Sequence, residues 1–158
     1  MYRNLNNKGF TLVELLATIV ILAMIGVISF VSINGVIEQN KIKNCENLEN
    51  SIKSAAKEYV SDKRYDNSFV SSVQDMKVLL GGRHLINNKN LSGDVYNPFD
   101  NEDNITNIND DSKEDKLFIQ VSLKENYTAK DVDIYYDKND DGSISDDEKF
   151  ICNEDFWK

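Results

Sequence analysis

Residues 15–37, LLATIVILAMIGVISFVSINGVI, are 23 consecutive positions without a charge, bounded by Glu14 and Glu38. As a helix rising about 1.5 Å per residue, such a run covers about 35 Å, enough for the roughly 30 Å hydrocarbon core of a bilayer. A cleaved secretory signal has an apolar core of only about 7 to 15 residues followed by a small-residue cleavage site. Here IEQNKIKNCENLE simply continues in helical style. A helix apolar on every face is also hard to bury in a chain of 158 residues, which leaves room for one domain of roughly 100 residues beside it. The run is therefore expected to insert into a membrane. Arg3 and Lys8 precede it and should stay cytoplasmic, so the remainder of the chain faces outward, although Lys41 and Lys43 reduce the contrast.

Charge sorts the rest. Residues 94–158 hold 19 of the 27 acidic side chains and only 7 of the 18 basic ones. Such a field repels nucleic acid and attracts cations, so direct nucleic-acid binding is not expected. Acidic pairs are common in so acidic a chain, and a single histidine, His84, leaves no obvious base and nucleophile pair. An enzyme is not expected.

Glu14 is out of place at the start of the apolar run, because an ionised carboxylate in hydrocarbon costs several kcal/mol unless it finds a partner. Snorkelling to headgroups is one solution. Lys8-Gly9-Phe10-Thr11-Leu12-Val13-Glu14, followed at once by the apolar run, suggests another, because it resembles the N-terminus of type IV prepilins and pseudopilins. In that family a dedicated peptidase at the cytoplasmic membrane face cuts after the glycine and methylates the new N-terminal residue. The resemblance implies a leader of residues 1–9, a scissile bond between Gly9 and Phe10, an N-methylated Phe10, and Glu14 at the family's assembly position. It also implies the partners: the prepilin peptidase, membrane assembly machinery and other pilin subunits, with the head carried outside in a filament. Stacked copies could pair the Phe10 amine of one with Glu14 of the next, turning two costly charges into a pair.

The domain plan that follows is a leader at 1–9, an assembly half of the helix at 10–37 and an extracytoplasmic head at 38–158. Ile42, Cys45, Leu48, Ile52, Ala55 or Ala56, and Tyr59 recur at helical spacing with no proline before residue 62, so the helix should continue into the head and turn one stripe inward. Gly26 and Asn34-Gly35 are expected weak points. Residues 69–80 read as mixed helical spacing stopped by Gly81-Gly82, and the polar stretch 84–116 as loop. LFIQVSL at 117–123 and VDIYY at 132–136 have strand composition, with KFIC at 149–152 as a third. The fold class is α+β: a pilin-like long N-terminal helix on a small antiparallel sheet.

Two further features carry chemistry. In DKNDDGSISDDE, Asp137, Asn139, Asp141, Ser143, Ser145 and Glu148 occupy positions 1, 3, 5, 7, 9 and 12 of an EF-hand-like calcium loop, with Gly142 at 6 and Ile144 at 8. Calcium takes six to eight oxygens in flexible geometry, which this spacing can supply; the entering segment is a strand rather than a helix, and a solvated acidic turn is the plain alternative. Some pseudopilins similarly use calcium to hold a C-terminal loop. Cys45 and Cys152, the only cysteines, would both lie outside, where a disulfide can persist. Closing so long a loop contributes about 4 to 5 kcal/mol in the chain-entropy picture, while two buried thiols are the other reading. Family members often carry a disulfide, commonly within the C-terminal half. A membrane-tethered calcium-binding or adhesive domain that keeps residues 1–9 and never polymerises is the competing function.

Overall fold

The computed structural model describes residues 10–106 and 115–157, without the side chains at 28–32, 34, 101 and 154. One helix, α1, runs from Leu12 to Lys63 through Gly26 and Gly35. The expected weak points do not interrupt it. The chain divides into two units, one ending at Asn40 and one beginning at Lys41.

In the first unit the large apolar side chains of α1 are exposed. Among the described residues, no helix is both long and apolar enough to cross a membrane; residues 28–32 and 34, whose side chains stand outside the description, lie within the uncharged run.

The second unit is the head. Cys45, Ile52, Ala55, Ala56, Tyr59 and Val60 of α1 are buried while Leu48 is half-buried, the stripe that a 3.6-residue repeat produces when one helix face meets a core. The face meets a three-stranded antiparallel sheet of order β1-β4-β5, made of β1 (Lys77–Gly81), β4 (Leu117–Leu123) and β5 (Ala129–Tyr136). Along β4, Leu117, Ile119, Val121 and Leu123 point inward and join the α1 residues in one apolar cluster. Strict alternation in a central strand is what a sheet with one buried face requires. A short ribbon of β2 (Tyr96–Asn97) and β3 (Asp100–Asn104) lies in the β1 to β4 crossover.

Three sequence expectations need correction. Residues 69–80 are not one helical stretch: α2 ends at Ser72, and Asp75 and Met76, both at positive φ, form a tight turn that brings Lys77 back to Gln74 and starts β1. Asp66 fixes the start of α2, because its carboxylate accepts the Ser68 N–H at 2.9 Å and caps the helix. The stretch 84–116 is not all loop, since α3 (Gly82–Asn87), β2 and β3 fall largely within it. KFIC is not the third strand. Lys149 makes a single bridge to Tyr135 and the Phe150 N–H bonds to the Ile134 carbonyl at 2.8 Å, after which the chain leaves β5 because Cys152 is fastened to α1.

Gly81-Gly82 acts by close approach rather than by stopping a helix. A Cβ on Gly82 would stand 2.7 Å from Leu117 Cδ2 and 3.0 Å from Thr106 Cγ2. Beside it, Asp115 accepts the Arg83 N–H at 2.7 Å and the Leu117 N–H at 3.2 Å, and burial pushes its carboxyl above the usual range. Gly82→Ala is expected to destabilise the head by about 1 to 3 kcal/mol, readable as a lower urea midpoint; an unchanged midpoint would mean that α3 can move off β4 without loss.

Candidate functional site

Phe10 and Thr11 precede the first turn of α1, and Gly9 lies outside the described residues. Thr11 is the N-cap: its carbonyl accepts the Leu15 N–H at 3.2 Å, and its Oγ1 accepts the Glu14 N–H at 3.3 Å. Glu14 reaches back, with Oε2 accepting the Thr11 N–H at 2.9 Å and the Thr11 hydroxyl at 2.8 Å. This reciprocal pair is a capping box, which satisfies donors that the start of a helix otherwise leaves open. Within the single chain, then, the partner of Glu14 is Thr11. The Thr-x-x-Glu spacing was the signal for it, overlooked when Glu14 is considered only as a charge in an apolar run. Around this box Phe10 is 82% exposed, Leu12 80% and Val13 73%.

At the other end of the chain, β5 delivers Asp137, whose N–H bonds to the Lys116 carbonyl at 2.8 Å. The loop that follows closes on Glu148, the last residue of a short 3-10 turn, Asp146–Glu148. Asp137 and Glu148 are each only 1% exposed. The Asp137 carboxylate accepts the Gly142 N–H at 2.8 Å and, more weakly, the Asp141 N–H at 3.4 Å. Glu148 takes the Lys138 N–H at 3.2 Å and the Asn139 amide at 3.1 Å on one oxygen, and the Ser145 N–H at 3.0 Å and hydroxyl at 2.6 Å on the other. Gly142 and Asp140 supply the positive φ values that fold the chain around these carboxylates.

The six sequence-predicted ligands thus fall into three local groups: Glu148 with Asn139 and Ser145, Asp137 with the Gly142 turn, and Asp141 with Ser143, whose hydroxyl donates at 2.6 Å. Hydrogen bonds from the Ser143 hydroxyl and N–H hold the exposed Asp141 carboxyl below its usual range. Among the described residues, no three His, Cys, Asp or Glu side chains gather as a metal-holding group. The donor set is nevertheless all oxygen, with two buried carboxylates at its ends, the chemistry of a hard cation such as calcium rather than of a transition metal. Lys149, directly after Glu148, pairs with Asp133 at 2.6 Å and closes the base of the loop.

Cys45 and Cys152 are joined, with their Cα atoms 5.5 Å apart and 107 positions apart in sequence. The bond ties α1 to the segment that follows the loop. There Phe156 and Trp157 gather on Tyr136 and Phe150 packs edge-on to Trp157, with the Trp157 and Tyr136 ring centroids 4.7 Å apart. The Tyr136 hydroxyl donates to Asp103 at 3.2 Å and connects β5 with β3; burial and the Asp103 charge push its pKa upward. His84 sits on α3 rather than at a loop edge, 2.8 Å from the Tyr59 hydroxyl.

Comparison with curated proteins and with solved structures gives no match. The N-terminal segment is different: residues 4–30 match the prokaryotic N-terminal methylation motif, the signature of type IV pilins and pseudopilins.

Proposed function

We propose that this chain is a structural subunit of a type IV pilus or pseudopilus. It is made as a membrane precursor with residues 1–9 as leader, cut between Gly9 and Phe10, N-methylated on Phe10, and polymerised through residues 10–37, with 38–158 as the exposed head. The motif points to a structural protein and implies processing by the prepilin peptidase and assembly with other pilins. The observation that carries the reading is the exposure of Leu12, Val13, Leu15, Leu16 and Ile19 on the helix that bears the motif, and of Phe10 just before it. Apolar surface on that scale needs a bilayer or other subunits to cover it. In the filament the Phe10 amine of one copy pairs with Glu14 of the next, and the capping bonds from Thr11 hold that carboxylate at the helix start until the pair forms.

The same reading includes calcium in the 137–148 loop, held by Asp137, Asn139, Asp141, Ser143, Ser145 and Glu148. The ion would neutralise two buried carboxylates and fix the loop, a structural role. At roughly ten times its Kd it would add about 1.4 kcal/mol to head stability. Trp157, the only tryptophan, packs at a tilt on Tyr136, the neighbour of Asp137 in sequence, and reports on the loop. Calcium added to the full chain in detergent micelles is expected to shift Trp157 emission with a midpoint near 10⁻⁴ to 10⁻³ M. Asp137→Asn with Glu148→Gln should abolish the response. A flat titration by both fluorescence and calorimetry would remove calcium from the account and leave assembly untouched.

A further inference from the structure

We propose that the Cys45–Cys152 bond is a redox-sensitive latch: oxidised, it keeps residues 149–157 seated on the head, and its reduction releases that segment as a unit while the β1-β4-β5 sheet stays folded. The inference depends on neither the filament nor calcium.

The two parts of the head are held in different ways. β4 pairs over Phe118–Ser122 with β1 on one side and along its whole length with β5 on the other, and four of its side chains are buried. Among the described residues, the backbone bonds that run from the segment 149–157 to the rest of the head lie at its start, in the Tyr135–Lys149 bridge and the Phe150 N–H. Further along, the Asn153 N–H bonds to Ile151, the Phe156 N–H to Asn153 and the Trp157 indole N–H to Ile151, all inside the segment. What seats it otherwise is side-chain contact. Phe150 and Phe156 are buried, Trp157 lies on Tyr136, and the Lys138 ammonium stands 3.8 Å from the centre of the Phe156 ring. Ordering nine residues carries a conformational-entropy cost comparable to what such a cluster returns. The covalent tie at Cys152 therefore decides whether the segment stays down. Segments of this kind open at lower free energy than paired core strands.

The chemistry also has a direction. Cys45 is fully buried whereas Cys152 is half-buried. A low-molecular-weight thiol, as thiolate, attacks Cys152 Sγ; the S–S bond breaks and Cys45 leaves as a thiolate that takes up a proton. A second thiol then attacks its own kind in the mixed disulfide, Cys152 leaves and is protonated, and the two reductant molecules end as a disulfide. Two electrons and two protons pass to the protein. Once released, the segment uncovers the face of Tyr136 and the Cys45 notch on α1, and Glu148 loses the neighbour that fixes its C-terminal side.

Hydrogen exchange of the full chain in detergent micelles, before and after complete reduction by a dithiol, tests the latch. In the reduced chain the amides of Phe150, Asn153 and Phe156 should exchange near the rate of an unstructured peptide, while Ile119 and Val121 in β4 exchange at least about a hundredfold more slowly. Trp157 emission should shift to the red, and Cys45→Ser with Cys152→Ser should reproduce the reduced pattern. Two results would overturn the proposal. One is a segment that stays as protected as β4 after the bond is cut. The other is β4 exchanging as fast as the segment, which would mean that the head unfolds as one unit once the bond is cut.

Discussion

Serine at both Cys45 and Cys152 lowers the stability of the head by about 4 to 5 kcal/mol relative to the oxidised chain. The bond closes almost the entire head, from the second turn of the helix inside it to the last aromatic cluster, its ends 107 positions apart in sequence. The unfolded chain regains the freedom that closure removed, while the folded core of α1, β1, β4 and β5 keeps its packing. Domains of this size are stable by only about 5 to 15 kcal/mol in all, so the loss is a large fraction of the total. With a urea dependence of about 2 kcal/mol per molar, the unfolding midpoint should fall by about 2 M. A fall of less than about 0.5 M would mean that the unfolded state remains compact without the bond, and that closure contributes little.

Glu14→Ala is expected to stop filament growth. In the proposed filament the substitution would leave the Phe10 amine of each incoming subunit without its carboxylate in an apolar contact, where removing one partner of a buried pair costs about 3 to 5 kcal/mol. That corresponds to a rise of at least about a hundredfold in the subunit concentration needed for assembly. The structure adds a control, because Glu14 also caps α1 through Thr11. Thr11→Val removes the cap and keeps the charge, and should cost only about 1 kcal/mol. Electron microscopy of sheared surface material separates the two. Filaments of normal length in Glu14→Ala would contradict the pairing, and equal loss in both variants would show that the cap rather than the charge matters.

What was legible in the sequence was what local periodicity decides. The burial of Cys45, Ile52, Ala56 and Tyr59 follows from a single helical repeat, and LFIQVSL from strict alternation, because each pattern is generated by one element meeting one core. Residues 77–81 were not legible: KVLLG is too short to show a period, and its strand state is imposed from outside by pairing with β4 and by a turn built from Asp75 and Met76, of which Met76 is not a usual left-handed residue. KFIC failed for the opposite reason. Its composition suits a strand, but the disulfide draws Cys152 to α1 and ends the pairing after Phe150. In the acidic loop the spacing shows which residues could face inward, and Asp137 and Glu148 do so. It does not show that backbone N–H groups would meet those carboxylates, since turn geometry at Asp140 and Gly142 decides that.

The N-terminus of the protein as cells display it is the most direct measure of the central claim. Intact-mass and N-terminal analysis of subunits sheared from the cell surface should give a chain that begins at Phe10 and carries one additional methyl group on its amine. A chain that still begins at Met1, with residues 1–9 in place, would contradict processing, and with it the pairing of Phe10 and Glu14 and the assembly built on that pair.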